Sequence, residues 1–186
     1  MAGTSGTSTA SEQAPRFRIS PLSIEERDPR LAEFGCVDKS LTEFIASEEA
    51  LRFEKFRLGR TYLLDHPDGR LIGYFTVSTD GLNLAKIKKQ YGDGIPKGLN
   101  HIPSLLIGRL AIDREFAGKE PHYGRWAVKY IVGMAQEMAK TVGVRLIVLE
   151  AVPKSISFYE KCGFVAVDRV GKNTRNPTMF LDLLKL

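Results

Sequence analysis

The sequence predicts an α/β or α+β domain, one mixed sheet with helices on its faces. Three observations predict it. Apolar runs of strand length alternate with amphipathic stretches at helical spacing, in the order β-α-β-β-(loop)-β-α-β-α-β-β. The 186 residues suffice for one domain with a substantial core, and no repeat or second boundary interrupts them. Residues 104–124 read as a buried strand, a short glycine-containing loop and the start of a long helix. Free N–H groups and the positive end of a helix dipole converge at such a junction, which is either a site for an anion, a phosphate-bearing cofactor above all, or an ordinary strand-to-helix turn.

Residues 1–15, MAGTSGTSTASEQAP, carry almost no apolar bulk and are expected to be a disordered tail. The domain is expected over 16–186. Residues 16–20 alternate polar and apolar as a first strand, which Pro21 stops. Residues 38–56 read as one helix with Asp38 as N-cap; Leu41, Phe44, Ile45 and Leu51 line its apolar face, which Phe53 and Phe56 extend. Arg52, Lys55, Arg57 and Arg60 cluster at its end, either as charge that compensates the dipole or as a rim for phosphates. Residues 61–64 and 71–78 are strands joined through Asp65-His66-Pro67-Asp68-Gly69, a hairpin signal that leaves His66 solvated.

A short helix is expected over 84–91, then a glycine-rich connection to Gly98; Lys86, Lys88, Lys89 and Lys97 make this part basic, either a substrate-side loop or a plain surface loop. In the central strand, 105–112, the interior Gly108 marks a bulge or a place of close approach to the backbone. The long helix runs from Tyr123 to about Lys140. Trp126, Ala127, Tyr130, Ile131, Met134, Ala135 and Met138 are expected to face the core, and Gly143 to end the helix. Residues 144–150 form a buried strand, 153–161 a short helix with proline in its first turn and Gly163 as cap, and 164–167 and 179–184 the last strands.

A hydrophobic fraction of 43% with 26% charged residues places the chain among soluble globular proteins. No apolar run approaches the roughly 20 residues of a membrane span, and no basic-then-apolar leader opens the sequence, so a cytoplasmic protein without a membrane partner is expected. Cys36 and Cys162 lack metal-ligand spacing; a reduced pair and no metal are expected. The net charge of +5 favours an anionic partner, a nucleotide cofactor or RNA or both.

Two segments carry a resemblance. The first is Gly108-Arg109-Leu110-Ala111-Ile112-Asp113 leading into the glycine loop and long helix. The second is Ser155-Ile156-Ser157-Phe158-Tyr159-Glu160-Lys161-Cys162-Gly163-Phe164, which looks like an "A-x-x-F-Y-x-x-x-G-F" segment. In this order, with a strand between them, they resemble the GNAT superfamily of acyl-CoA-dependent N-acetyltransferases, from about Arg16 to the C-terminus. The segment from Phe34-Gly35-Cys36 to Phe44-Ile45 resembles the "F-x-C-G-x-x-x-L-x-x-F-L" opening of a branch that includes toxins acetylating aminoacyl-tRNA, with Gly35 and Cys36 in swapped order.

The resemblance implies a mostly antiparallel mixed sheet with helices on both faces, acetyl-CoA as acyl donor, and a primary amine acceptor, the α-amine of charged tRNA among the candidates. It also implies an antitoxin partner and a homodimer. It assigns Tyr159 as general acid for the departing thiolate, a phenol being a neutral donor at physiological pH. It assigns Leu110, Ala111 and Ile112 to pantetheine through the strand edge, with an N–H there for the oxyanion. Ala117, Gly118, Lys119, His122, Tyr123, Gly124, Arg125 and Ser155 complete the cofactor site.

The loop departs from the family's "Q/R-x-x-G-x-G/A": Ala117 takes its first place, Glu120 and Pro121 are inserted, and His122 stands where the middle glycine belongs. Proline lacks an N–H and a β-carbon hinders close approach, so the pyrophosphate cradle is expected to be reshaped, with Lys119, His122 and Arg125 compensating by charge. The alternative function is a catalytically weak GNAT-like domain that binds an acyl-CoA or a partner. Glu150 and Glu115 are the base candidates, each with a structural role as its other reading. Arg109 faces the acceptor side or pairs with a carboxylate. A lysine amine, with pKa about 10.4, is protonated at neutral pH, whereas an α-amine near 8 is partly neutral; a missing base therefore fits an α-amino acceptor better.

Overall fold

Two-residue periodicity decides which face each strand residue buries. A computed structural model of the chain describes residues 16–91 (the backbone alone for 88–91), 95–167 and 176–186. The expected tail, 1–15, and part of the glycine-rich connection, 92–94, lie outside the described residues, as do the side chains of Lys88 and Lys89.

The elements follow the expected order: β1 (Arg18–Pro21), α1 (Lys39–Ala46), α2 (Glu49–Lys55), β2 (Arg60–Asp65), β3 (Leu71–Asn83), α3 (Leu84–Tyr91), β4 (His101–Ile112), α4 (Tyr123–Met138), β5 (Leu146–Glu150), α5 (Ile156–Lys161), β6 (Val165–Ala166) and β7 (Thr178–Asp182). The strands form one seven-stranded sheet in the order β1-β2-β3-β4-β5-β7-β6. Every neighbouring pair is antiparallel except β4 and β5, which run parallel.

Alternation, shifted by one residue where β3 bulges at Ile72 between the Leu64–Gly73 and Asp65–Leu71 pairs, sends strand residues to cores on both faces. Ile72 and Phe75 of β3, and Ile147 and Leu149 of β5, pack with Ala127, Val128, Ile131 and Ala135 of α4 and with Tyr159 and Phe164. On the opposite face the N-terminal half of the sheet meets α1 and α2 through Leu63, Leu71, Tyr74, Ala111, Phe44 and Ile45. The C-terminal half meets α3 through Leu82, Ile102, Leu146, Val148, Phe180 and Ile87. Helices thus cover both faces.

Several expectations are corrected. The single helix over 38–56 is two. Asp38 caps the first, its side chain accepting from the Ser40 N–H, but Ser47 turns extended at ψ 179. There its hydroxyl donates to the Phe44 carbonyl and accepts from the Glu49 N–H. A serine that offers the backbone these alternatives stops one helix and starts another. Phe56 does not extend the apolar face; it is 63% exposed beyond the end of α2. The long helix ends at Met138 rather than near Lys140, and residues 139–142 turn before Gly143. Tyr130 on that helix is 43% exposed, while Val128, outside the expected stripe, is buried. The hairpin forms with Gly69 at φ 91, but His66 is half-buried, its ring 5.5 Å from that of Phe116.

Candidate active site

The interior glycine of β4 is a bulge. Thr76 of β3 pairs with Arg109 and Val77 with Ile107, so Gly108 opposes no residue. It is exposed although it lies within the sheet, and a β-carbon there would meet only the Thr76 carbonyl, at 3.7 Å. On its other side β4 pairs with β5 only at Ser104, Leu105 and Leu106. From Ile107 to Ile112 that edge has no strand partner among the described residues. The sheet therefore splits just before the bulge and leaves the backbone of half of β4 open, which suits an extended ligand lying as an added strand. Leu110 and Ile112 lean to the α4 face and Ala111 to the α1–α2 face. The extent of this split was hidden in the sequence, because strand pairing is non-local.

The loop after β4 begins at Asp113, whose N–H returns to the Ile72 carbonyl. The Ala117 N–H bonds the Asp113 carbonyl. Gly118 takes φ 72 with open space around it. The N–H groups of Gly118, Tyr123 and Gly124 enter none of the loop's backbone hydrogen bonds, so they are available to an anion at the N-terminus of α4. The His122 N–H is not, for it donates to the Lys119 carbonyl at 2.9 Å. His122 sits in the left-handed region at φ 58, which is why a glycine suits this place. Its imidazole lies 2.9 Å from the Glu120 carboxylate. Lys119 and Arg125 are exposed. Tyr123 is buried, its ring edge-on to Phe17 and Phe116.

Gly124 is where α4 meets α5. A β-carbon there would stand 3.3 Å from the Phe158 ring and 3.7 Å from Ile112, so α5, α4 and the end of β4 converge. Ser155, half-buried, precedes α5. Tyr159 packs against the Phe158 and Phe164 rings at 5.0 and 5.6 Å. Burial pushes its phenol well above the ordinary range, so it stays a neutral O–H donor. Glu115 pairs with Arg70 at 3.0 Å and Glu150 is exposed at the end of β5.

The N-terminal segment packs at the end of β4. The Arg114 N–H donates to the Gly35 carbonyl and Asp113 accepts the Gly35 N–H, which ties that segment to the end of β4. A β-carbon at Gly35 would collide with the Arg114 guanidinium at 2.9 Å. Arg109, on β4, lies 3.6 Å over the Phe44 ring and 3.7 Å from the Glu49 carboxylate. Across the mouth, Lys154 approaches Asp38 at 3.9 Å. Among the described residues no cluster of side chains could hold a metal ion, and no helix is long and apolar enough to cross a membrane.

No protein-family model matches the chain. Solved structures do. A structure of AtaT complexed with acetyl-methionyl-tRNAfMet is 26% identical, with a TM-score of 0.75 over 91% of this chain and 96% of that one. A tyrosine-to-phenylalanine mutant of KacT is 24% identical, with a TM-score of 0.73 over 91% and 96%. A mutant AtaT toxin bound to the C-terminus of the antitoxin AtaR and acetyl-CoA is 24% identical, with a TM-score of 0.69 over 91% and 94%. The fold is that of the GNAT superfamily, and the chain resembles AtaT and KacT along nearly its whole length.

Proposed function

We propose that the chain is an acetyl-CoA-dependent N-acetyltransferase acting on the α-amine of aminoacyl-tRNA, toxin-like and restrained by an antitoxin partner. One observation carries the reading: the likeness, over nine-tenths of the chain, to AtaT in a complex with acetyl-methionyl-tRNAfMet. The open edge of β4 ending at a helix N-terminus supports it, because an acyl-CoA is an extended pantetheine arm joined to a pyrophosphate.

Acetyl-CoA supplies the acyl group as a thioester. Leu110, Ala111 and Ile112 hold its arm through their backbone. Gly118, Tyr123 and Gly124 meet the pyrophosphate with N–H groups, Lys119 and Arg125 with charge, and Ala117, His122 and Ser155 border it. As the new C–N bond forms and the C–S bond breaks, the Tyr159 hydroxyl gives its proton to the departing sulfur, the surplus amine proton passes to water, and the phenolate takes a proton back from water. A phenol so far above its ordinary range is a weak acid towards a solvated thiolate. The burial that weakens it also raises the proton affinity of a thiolate held beside it.

Calorimetry with acetyl-CoA, followed by thiol release with charged tRNA, a lysine peptide and a polyamine, tests the reading. Binding and fastest release with charged tRNA are expected; no binding at millimolar acetyl-CoA overturns it. A second reading, a weak acyl-CoA-binding or partner-binding module, draws on the occupied His122 N–H and on Pro121, which has none. Acetyl-CoA binding without thiol release to any acceptor is its signature.

A further inference from the structure

The end of α2 carries an arginine where the backbone favours glycine. The Leu58 N–H donates to the Phe53 carbonyl and the Arg57 N–H to the Glu54 carbonyl, the paired bonds of a left-handed helix stop. Arg57 occupies its left-handed position at φ 55. That conformation is unfavourable for a side chain with a β-carbon and persists where something else rewards it.

The surroundings suggest the reward. An open groove of about 480 Å³ runs along α2 past Glu49, Arg52, Phe53, Phe56 and Leu58. Phe56 and Leu58 are 63% and 59% exposed at its end. Arg52 lines the groove beside Glu48 and Glu49, and Lys55 and Arg57 flank Phe56 in the chain; all three cations are exposed and in no salt bridge among the described residues. The nearby carboxylates are committed: Glu48 to Arg27, Glu49 to Arg109, and the buried Glu54 to Arg60. An uncovered aromatic ring among uncommitted cations is the combination that binds single-stranded nucleic acid, the ring stacking on a base and the cations meeting phosphates.

The groove also reaches β4 beside the bulge: Phe53 on its wall shares Arg109 with Phe44, and a β-carbon at Gly59 would stand 3.1 Å from Thr76 and 3.3 Å from the Val77 carbonyl, the step opposite Gly108. We infer that this groove is where the single-stranded 3′ end of the acceptor RNA docks, with Phe56 stacking on a base and Arg52 and Arg57 on phosphates. The inference rests on the tRNA reading above and adds the surface that reads it.

The test is fluorescence anisotropy of a 5′-labelled RNA hairpin with a short single-stranded 3′ tail, against the same hairpin with a blunt end and a polyglutamate peptide. Phe56→Ala is expected to weaken tailed RNA about tenfold and blunt RNA much less. Arg52→Gln and Arg57→Gly should each reduce the slope of log affinity against log salt by about 0.7. Arg57→Gly should do so with a Tm at or above that of the wild type, which separates lost binding from lost folding. Acetyl-CoA binding should be unchanged in all three. Variants that bind tailed RNA like the wild type, equal losses with blunt RNA, or a wild type that binds polyglutamate but not RNA would each overturn the inference. RNA binding through the groove without acetyl transfer would refute the proposed activity and leave the groove assigned; transfer to charged tRNA undiminished by the three substitutions would do the reverse.

Discussion

Tyr159 is a residue whose environment and proposed chemistry can be tested apart. Its ring is held by Phe158 and Phe164, contacts that a phenylalanine retains. Tyr159→Phe should therefore keep the melting temperature and acetyl-CoA affinity near wild type while lowering kcat about 10²-fold or more; steady-state thiol release decides it, and an unchanged rate removes Tyr159 from the chemistry. Asp28 offers a pH test. Hydrogen bonds from the Arg30 side chain hold its carboxyl below the usual range. The group binds fewer protons folded than unfolded, so its contribution is complete above the unfolded pKa, about 3.9, and disappears as pH falls through the folded value. Denaturant titrations from pH 6 to pH 2 should show Asp28→Asn less stable at the upper end, the difference closing at the lower. At this scale a motif singled out Tyr159, and the structure shows it buried between Phe158 and Phe164, while its role in the chemistry rests with the experiment above. The sequence was silent where a role depends on one hydrogen bond, as with the His122 N–H.

Elements were legible where a periodic stretch is bounded by clear stop and start signals. The extent of α3 follows its sequence to the residue, and α4 starts at the expected Tyr123. The break at Ser47 was not legible, because a serine within a helical pattern looks the same whether its hydroxyl faces solvent or caps the next helix. Element packing carries its own prediction at Gly124. With the Phe158 ring 3.3 Å from where a β-carbon would stand, Gly124→Val must push α5 off the start of α4. Overpacking of this kind costs about 1–3 kcal/mol, which for a chain of this size lowers Tm by roughly 2–12 °C. Acetyl-CoA affinity should fall with it, since the displaced helix borders the proposed pyrophosphate site. Calorimetry beside a thermal melt checks both.

At the level of the molecule, element order was readable and pairing was not. Nothing local in residues 104–112 tells that the first three pair with β5 and the rest do not. That depends on where β5 leaves the sheet to reach α5. If acetyl-CoA binds the folded chain and not the unfolded one, a concentration of 100 times its Kd should stabilise by about 2.7 kcal/mol, a rise in Tm of roughly 5–10 °C. Differential scanning fluorimetry with acetyl-CoA, and with CoA lacking the acetyl group, measures this; no shift with either ligand would count against a cofactor site along β4.

The break in pairing after Leu106 has a mechanical consequence. Strands β1 to β4 and strands β5 to β7 are stitched by three residue pairs, so the sheet is two plates with a short weld and an open seam. Amides along the seam, from Ile107 to Ile112, should divide into slow exchangers bonded to β3 and fast exchangers that point into the gap. A ligand laid in the seam would act as the missing strand, slowing the second class and stiffening the joint between the plates.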